Sequence, residues 1–425
     1  MMNLKKLTVA MMAVGLSSAA VAGNVKGQQH AADHSAAVAA MNANVDAVKG
    51  HEGGSADWYR RIRMSGMVNV DAIYSGYDNI DNVVSGDAEH DKADQNQTQI
   101  AVSNATLFVD AAMSNWSSAH VGFSYENRHA DQFAPVMQDS TSNDGWSVEE
   151  AFVTLANFNK MPVYARAGQQ FVNFGDYQVH PMFDSYTQLL SETNGPAVTV
   201  GFVSPMGVYG SVFALDGTTE VDNRNLADNY GGRVGFGHHA ADMGYDVHFD
   251  YMRNMGDATY VNEKITFANN ANENMTHRVG AVSAHADFNT GPFDVSADFV
   301  NATRHFEGAE LGYNPDDLTA TDTDAGAEPW ATGLHLGYKF RMAGHRSHLV
   351  LGYERSGGAS ANNGKDAADG LDMPSTRYSA EYNVNMFRHT DFAVGVVSDH
   401  DYSTDDGGSG KNGTTGIARV SFQFA

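Results

Sequence analysis

The chain of 425 residues has no cysteine, which removes thiol nucleophiles, thiolate metal sites and any disulfide framework. Basic residues are few. Lys and Arg number 26 against 51 Asp and Glu, a net charge of −25. Such a balance excludes a nucleic-acid binder, whose phosphates require Lys and Arg. It suits long solvated loops and a pore that favours cations. Long apolar runs are missing too. Beyond the N-terminus no stretch approaches the roughly 18 consecutive apolar residues of a spanning helix. The motifs G-x-S-x-G, P-loop and H-E-x-x-H do not occur, so no catalytic residue is expected. The 18 histidines are scattered, and His238-His239 is an adjacent pair rather than a helical i,i+4 pair. No metal site and no cofactor are expected from that pattern.

The N-terminus reads as an export signal. Lys5 and Lys6 precede an apolar stretch from Leu7 to Leu16, and Ala20-Val21-Ala22 fits a cleavage site before Gly23. Residues 1–22 are therefore expected to be a signal peptide. Residues 23–60 are rich in Ala, Asn and His and have no period-two pattern. Val38, Met41, Val45 and Val48 have heptad-like spacing within Ala36–Lys49, which leaves a short helix or a flexible periplasmic leader open.

From Ile62 onward apolar and polar residues alternate in segments of about ten, the pattern of transmembrane strands. Ile62, Met64, Val68, Val70 and Tyr74 share one face, with Arg63, Ser65, Asn69 and Asp71 on the other. Tyr245, Val247, Phe249 and Tyr251 alternate with Asp246, His248 and Asp250. Phe293, Val295 and Phe299 alternate with Asp294, Ser296 and Asp298. The last segment sets Val420, Phe422 and Phe424 against Arg419, Ser421 and Gln423. A low mean hydropathy of −0.37 fits, because every second strand residue would face a polar lumen.

About sixteen such segments lie between residues 61 and 425. Seven short connections, such as Met113 to Trp116 and Met342 to His345, alternate with eight long ones, such as 173–196 and 303–329. A soluble sandwich has no reason to place a long loop at every second turn. The fold expected is all-β: a transmembrane antiparallel β-barrel of about 16 strands with a short N-terminal periplasmic segment.

The segment from Ala151 to Phe202 is the most distinctive. Gly168-Gln169-Gln170, Phe174-Gly175-Asp176-Tyr177 and Thr187-Gln188-Leu189-Leu190-Ser191-Glu192-Thr193 follow one another through it. With Met64 to Ala72, this wording resembles the LbtU-type siderophore porins described from Legionella and relatives. The resemblance implies an outer-membrane porin that passes a ferric siderophore by facilitated diffusion. Its partners would be that solute, the bilayer and lipopolysaccharide, with assembly into a homo-oligomer left open. A general or sugar-selective porin and a non-conducting structural or adhesive barrel remain as alternatives.

Candidate solute contacts follow from the same pattern. The 173–196 loop carries Tyr177, His180, Asp184, Tyr186, Gln188 and Glu192, plus an apolar Leu189-Leu190 step that can pack inside the barrel. Gln170 stands at the root of that loop. Arg166, Arg233, Arg278 and Arg377 fall on the polar phase of their strands, where they can set a transverse field or pair with acids along the wall. Acidic runs at Asp316-Asp317, Asp322, Asp324, Asp399-His400-Asp401 and Asp405-Asp406 read as solvated loops. His120 near Ser124 is an enzyme-like pair of the kind that a polar lumen face generates by chance.

Overall fold

The computed structural model describes residues 61–77, 97–126, 145–176, 182–221, 227, 229–239, 243–268, 274–275, 277–307, 310–311, 326–358, 371, 373–403 and 410–424. The expected signal peptide and leader lie outside them, as do Asp316-Asp317, Asp322, Asp324 and Asp405-Asp406.

The strands run in chain order. They are β1 (Ile62–Tyr77), β2 (Gln97–Ala112), β3 (Ser117–Glu126), β4 (Gly145–Ala156), β5 (Val163–Phe171) and β6 (Asn194–Val203). Next come β7 (Val208–Leu215), the short β8 (Glu220–Val221), β9 (Asn229–His239), β10 (Met243–Met252), the short β11 (Asn274–Met275) and β12 (Ala281–Thr290). The chain finishes with β13 (Phe293–Ala302), β14 (Trp330–Met342), β15 (His345–Gly357), β16 (Thr376–Phe387), β17 (Thr390–His400) and β18 (Asn412–Phe424). All but β8 and β11 form one closed antiparallel barrel of 16 strands, in which β1 pairs with both β2 and β18. Closure from Gly66 opposite Phe424 to Tyr77 opposite Gly413 leaves no sheet edge. In hydrocarbon that is the requirement, because an unpaired backbone group there has no water to turn to.

Side-chain alternation decides which residue faces lipid. On β6, Val198, Val200 and Phe202 point outward and are exposed, while Ala197, Thr199 and Gly201 are buried on the lumen side. On β1 the outward residues are Ile62, Met64, Val68 and Tyr74, and the inward ones include Asn69 and Asp71. The exposed face is thus apolar and the enclosed face polar, the inverse of a soluble protein. No helix among the described residues is long and apolar enough to cross a membrane. The barrel crosses with its strands, in the outer membrane.

Short and long connections alternate as the sequence predicts. One of the two-residue turns is Ala343-Gly344, with φ of 51° and 85°. Two positive-φ residues match the right-handed twist of the flanking strands. By the usual polarity of such barrels, this end is periplasmic and the long loops are outside.

The outer half of the lumen is not hollow. Two inward segments contribute helix α1 (Tyr186–Ser191) and a 3-10 turn (Met255–Asp257) that leads into helix α2 (Thr259–Ala268). Their Tyr186, Leu190, Met255, Val261 and Ile265 pack with Phe174, Met252, Val300, Leu311 and Leu371 in one apolar core. The parallel pair of β8 and β11 supports it through Val221 and Met275.

Candidate functional site in the barrel lumen

The connection between β5 and β6 crosses the lumen and is held at two stations on the wall. The first lies on β9, β10 and β12. Arg233 and Asp250 are register partners on β9 and β10, and the guanidinium grips the carboxylate through two bonds of 2.8 Å. The same pair holds Gly175. Its amide donates to Asp250 at 2.8 Å, and its carbonyl accepts from Arg233. A φ of 79° at this residue is a left-handed conformation that glycine adopts without steric cost.

Gly175 delivers Asp176 to two histidines. His248 on β10 and His285 on β12 are register partners whose rings stack at 4.8 Å. The Nε2 atoms of both face one carboxylate oxygen of Asp176, at 3.4 and 3.6 Å. Each Nδ1 contacts a further carboxylate: Asp250 at 3.1 Å from His248 and Asp298 at 2.6 Å from His285. All of these groups are buried.

The second station lies on β15, β16 and β17. Arg377 stands between Glu354 and Asp399 in register and binds Asp399 at 2.7 and 3.0 Å. It also donates to the Asp184 carbonyl at 2.8 Å, and its guanidinium lies 4.8 Å from the centre of the Tyr186 ring. The Tyr186 amide donates to Glu354 at 2.7 Å and its hydroxyl to Asp399 at 3.1 Å. Burial pushes the Tyr186 phenol well above its ordinary range. Arg377 opposes that and Asp399 and Glu354 add to it, so the hydroxyl remains a donor. Ser185 caps α1 by accepting from the Gln188 amide, and Leu189 and Leu190 enter the apolar core. Met182 and Phe183 pack on Ala393 and Val397 of β17.

The inward loop therefore brings Asp184, Tyr186 and Arg377 together. Gln188 donates to Glu192 at 2.7 Å beside them. Arg166 and Gln170 lie on β5, Gln170 next to the strand's end at the loop and Arg166 nearer its start. The Arg166 guanidinium sits 4.5 Å from the Phe152 ring centre, and Gln170 bonds to the Ala197 carbonyl and Thr199. Tyr177 and His180 lie outside the described residues.

Two expectations need correction. Arg278 does not stand on a strand: β12 begins at Ala281, and Arg278 is a half-buried residue of the preceding loop. Val279 and Ala281, both buried in the apolar core, carry the two-residue period of β12 back past the strand's start. Asp399 is not a solvated loop acid but the buried partner of Arg377. The pairing of His120 with Ser124 is the chance one that the sequence suggests, since four residues along a strand span about 13 Å. His120 instead bonds to Asp110 at 2.8 Å, and its ring stacks with Phe108 and Phe152.

Sequence reasoning passed over Asp176, His248 and His285 as a group. The histidines have no helical i,i+4 spacing along the chain, and the ladder register is what brings His248 and His285 together. Sequence reasoning also passed over Arg419, paired with Asp71 at 2.8 and 2.6 Å across the seam that closes the barrel. The alternation had placed His248, Asp250 and Asp298 on the polar phase, and only strand pairing turns that into a cluster.

No protein-family model matches the chain. It is 25% identical over 271 residues to a UPF0422 protein of Coxiella burnetii, covering 63% of this chain and 54% of that one. A UPF0422 protein of Legionella pneumophila is 24% identical over 316 residues, covering 71% of this chain and 54% of the relative. The chain thus spans about half the length of the curated relatives it matches. Among solved structures, the barrel is similar to the outer membrane channel DcaP of Acinetobacter baumannii. The TM-score is 0.51 at 15% identity, over 85% of this chain and 97% of that one. It is also similar to an anion-selective porin from Comamonas acidovorans, with TM-score 0.52 at 11% identity, over 85% and 99%. At these identities the likeness is one of fold: a porin-type outer-membrane barrel.

Proposed function

We propose that this chain is a porin that passes a small solute across the outer membrane by facilitated diffusion through a restricted lumen. The observation that carries this reading is the loop between β5 and β6. It crosses the interior of a closed barrel and is docked on two sets of wall charges, Arg233–Asp250 and Glu354–Arg377–Asp399. A loop held in that way narrows the path and lines it with charged and aromatic groups. Asp184 and Glu192, half-buried on that loop, are the solute contacts of this reading, while the buried Tyr186, Gln188, Arg233 and Arg377 hold the loop in place. The cargo we favour is a ferric siderophore, on the resemblance carried by residues 151–202.

A second reading, a non-conducting structural or adhesive barrel, draws on the apolar core that fills much of the outer lumen. One experiment separates the two. The chain is refolded into a planar bilayer, and single-channel current is recorded with ferric siderophores or sugars added. Conductance steps blocked by a siderophore and not by sugars support the proposal in full. Steps without selective block leave a general porin, and a folded barrel with no conductance overturns the channel reading.

A further inference from the structure

We propose that Asp176, His248 and His285 form a binding site for one divalent first-row transition cation, which clasps the inward loop to the barrel wall. The inference is independent of whether the barrel conducts. Each residue offers one ligand atom, and these atoms lie within 4.8 Å of one another.

The spacing suits a shared cation. Zinc–nitrogen and zinc–oxygen bonds of about 2.0–2.1 Å in a tetrahedral site put neighbouring ligand atoms about 3.3–3.4 Å apart. The two distances from Asp176 to the histidine Nε2 atoms are 3.4 and 3.6 Å. A charge-assisted N–H to carboxylate bond would draw them to about 2.7–2.9 Å. Such a short contact does occur on the other side of one ring, at 2.6 Å between His285 and Asp298.

The surroundings point the same way. Metal-ligating histidines typically donate their second ring nitrogen to a carboxylate, which fixes the tautomer and leaves the other lone pair for the ion. Both rings have that partner, Asp250 for His248 and Asp298 for His285. Without a cation, two such neutral rings would aim lone pairs at a carboxylate oxygen. Charge adds to the case. Asp176, Asp250 and Asp298 converge on the two rings with Asp287 in electrostatic reach, and among the described residues the Arg233 guanidinium faces them. An excess of buried carboxylate needs a compensating cation or protons.

Two imidazoles and one carboxylate without thiolate suit zinc, iron or their neighbours rather than calcium. Three protein ligands leave at least one coordination position for water or for a donor group of a passing solute. Two ligands belong to the wall and one to the loop, so the ion would join β10, β12 and the Gly175 turn.

The test uses the full chain, refolded in detergent and shown to be folded by heat-modifiable gel migration. After chelator treatment it is exposed to zinc chloride and desalted, and metal is counted by mass spectrometry. About one zinc per chain is expected. Asp176→Asn and His285→Gln should each weaken retention at least tenfold, and His277→Gln, outside the cluster, should leave it unchanged. Folded wild type that retains no zinc overturns the proposal, and so does Asp176→Asn retaining as much as wild type. Should the variants fail to fold, X-ray absorption on zinc-loaded wild type decides. Two imidazole ligands are expected, and one or none would place the zinc elsewhere.

Discussion

Arg377 and Asp399 face each other directly across the β16–β17 ladder and share two hydrogen bonds while both are buried. Each also holds the inward loop, Arg377 through the Asp184 carbonyl and Asp399 through the Tyr186 hydroxyl. Removing one member strands the other's charge, at a cost of about 3–5 kcal/mol. Arg377→Met and Asp399→Asn should therefore each lower the urea midpoint of barrel unfolding. The double variant Arg377→Met/Asp399→Asn should cost less than the two single losses added. Single variants that unfold at the wild-type midpoint would show that the pair does not hold the wall together.

Gly175 presents a different kind of dependence. Its backbone, not a side chain, meets the Arg233–Asp250 pair, in a conformation with φ of 79°. Gly175→Ala should cost about 1–2 kcal/mol, because a Cβ in the left-handed region meets the following carbonyl. That cost falls on docking of the loop and not on the ladder. Amide exchange over residues 172–176 should speed up by roughly fivefold to thirtyfold. Exchange in β9 and β10 should stay slow. If both rise together, the turn is part of the barrel's own stability and not a separate latch.

Much of this architecture was legible in the sequence because a barrel repeats one rule. Period-two alternation marked Tyr245 to Tyr251 and Phe293 to Phe299, and the alternation of loop lengths set the strand count. Both are local properties of the chain. The Leu189-Leu190 step was legible as an inward-packing element for the same reason: an apolar pair in a polar loop needs somewhere dry. What stayed hidden depends on register. Nothing in the spacing of His248 and His285 makes them neighbours, since a ladder can slip by two residues and keep the same faces. Arg419 and Asp71 lie at opposite ends of the chain and meet only when the barrel closes. Arg278 was misplaced because buried Val279 and Ala281 continue a strand-like pattern into the core of the loop.

The apolar outer face predicts a sharp contrast between two arginine substitutions. Val200 lies mid-strand on β6 and points outward, whereas Met206 sits in a short turn at the periplasmic end. Val200→Arg should destabilise folding into lipid vesicles by about 2–4 kcal/mol, and Met206→Arg by about 1 or less. Equilibrium folding monitored by tryptophan fluorescence measures both. Equal costs would mean that the β6 surface does not lie in hydrocarbon.

Leu190 is fully buried in the apolar core and anchors α1 away from its own root on β5 and β6. Its truncation to Ala removes packing worth about 2–5 kcal/mol at a site of this kind. The polar tethers at Asp184 and Tyr186 would then hold the helix alone. If the loop is what narrows the lumen, Leu190→Ala should raise single-channel conductance and add flicker as α1 leaves the wall for part of the time. Leu349→Ala supplies the control, because Leu349 faces outward on β15 and its loss should not alter the current. A loop that obstructs must, when loosened, let more current through. Unchanged conductance in Leu190→Ala, with folding intact, would move the restriction to the other inward segment. The 3-10 turn and α2 would then be the next elements to truncate, starting at Met255 and Ile265, which are buried in the same core.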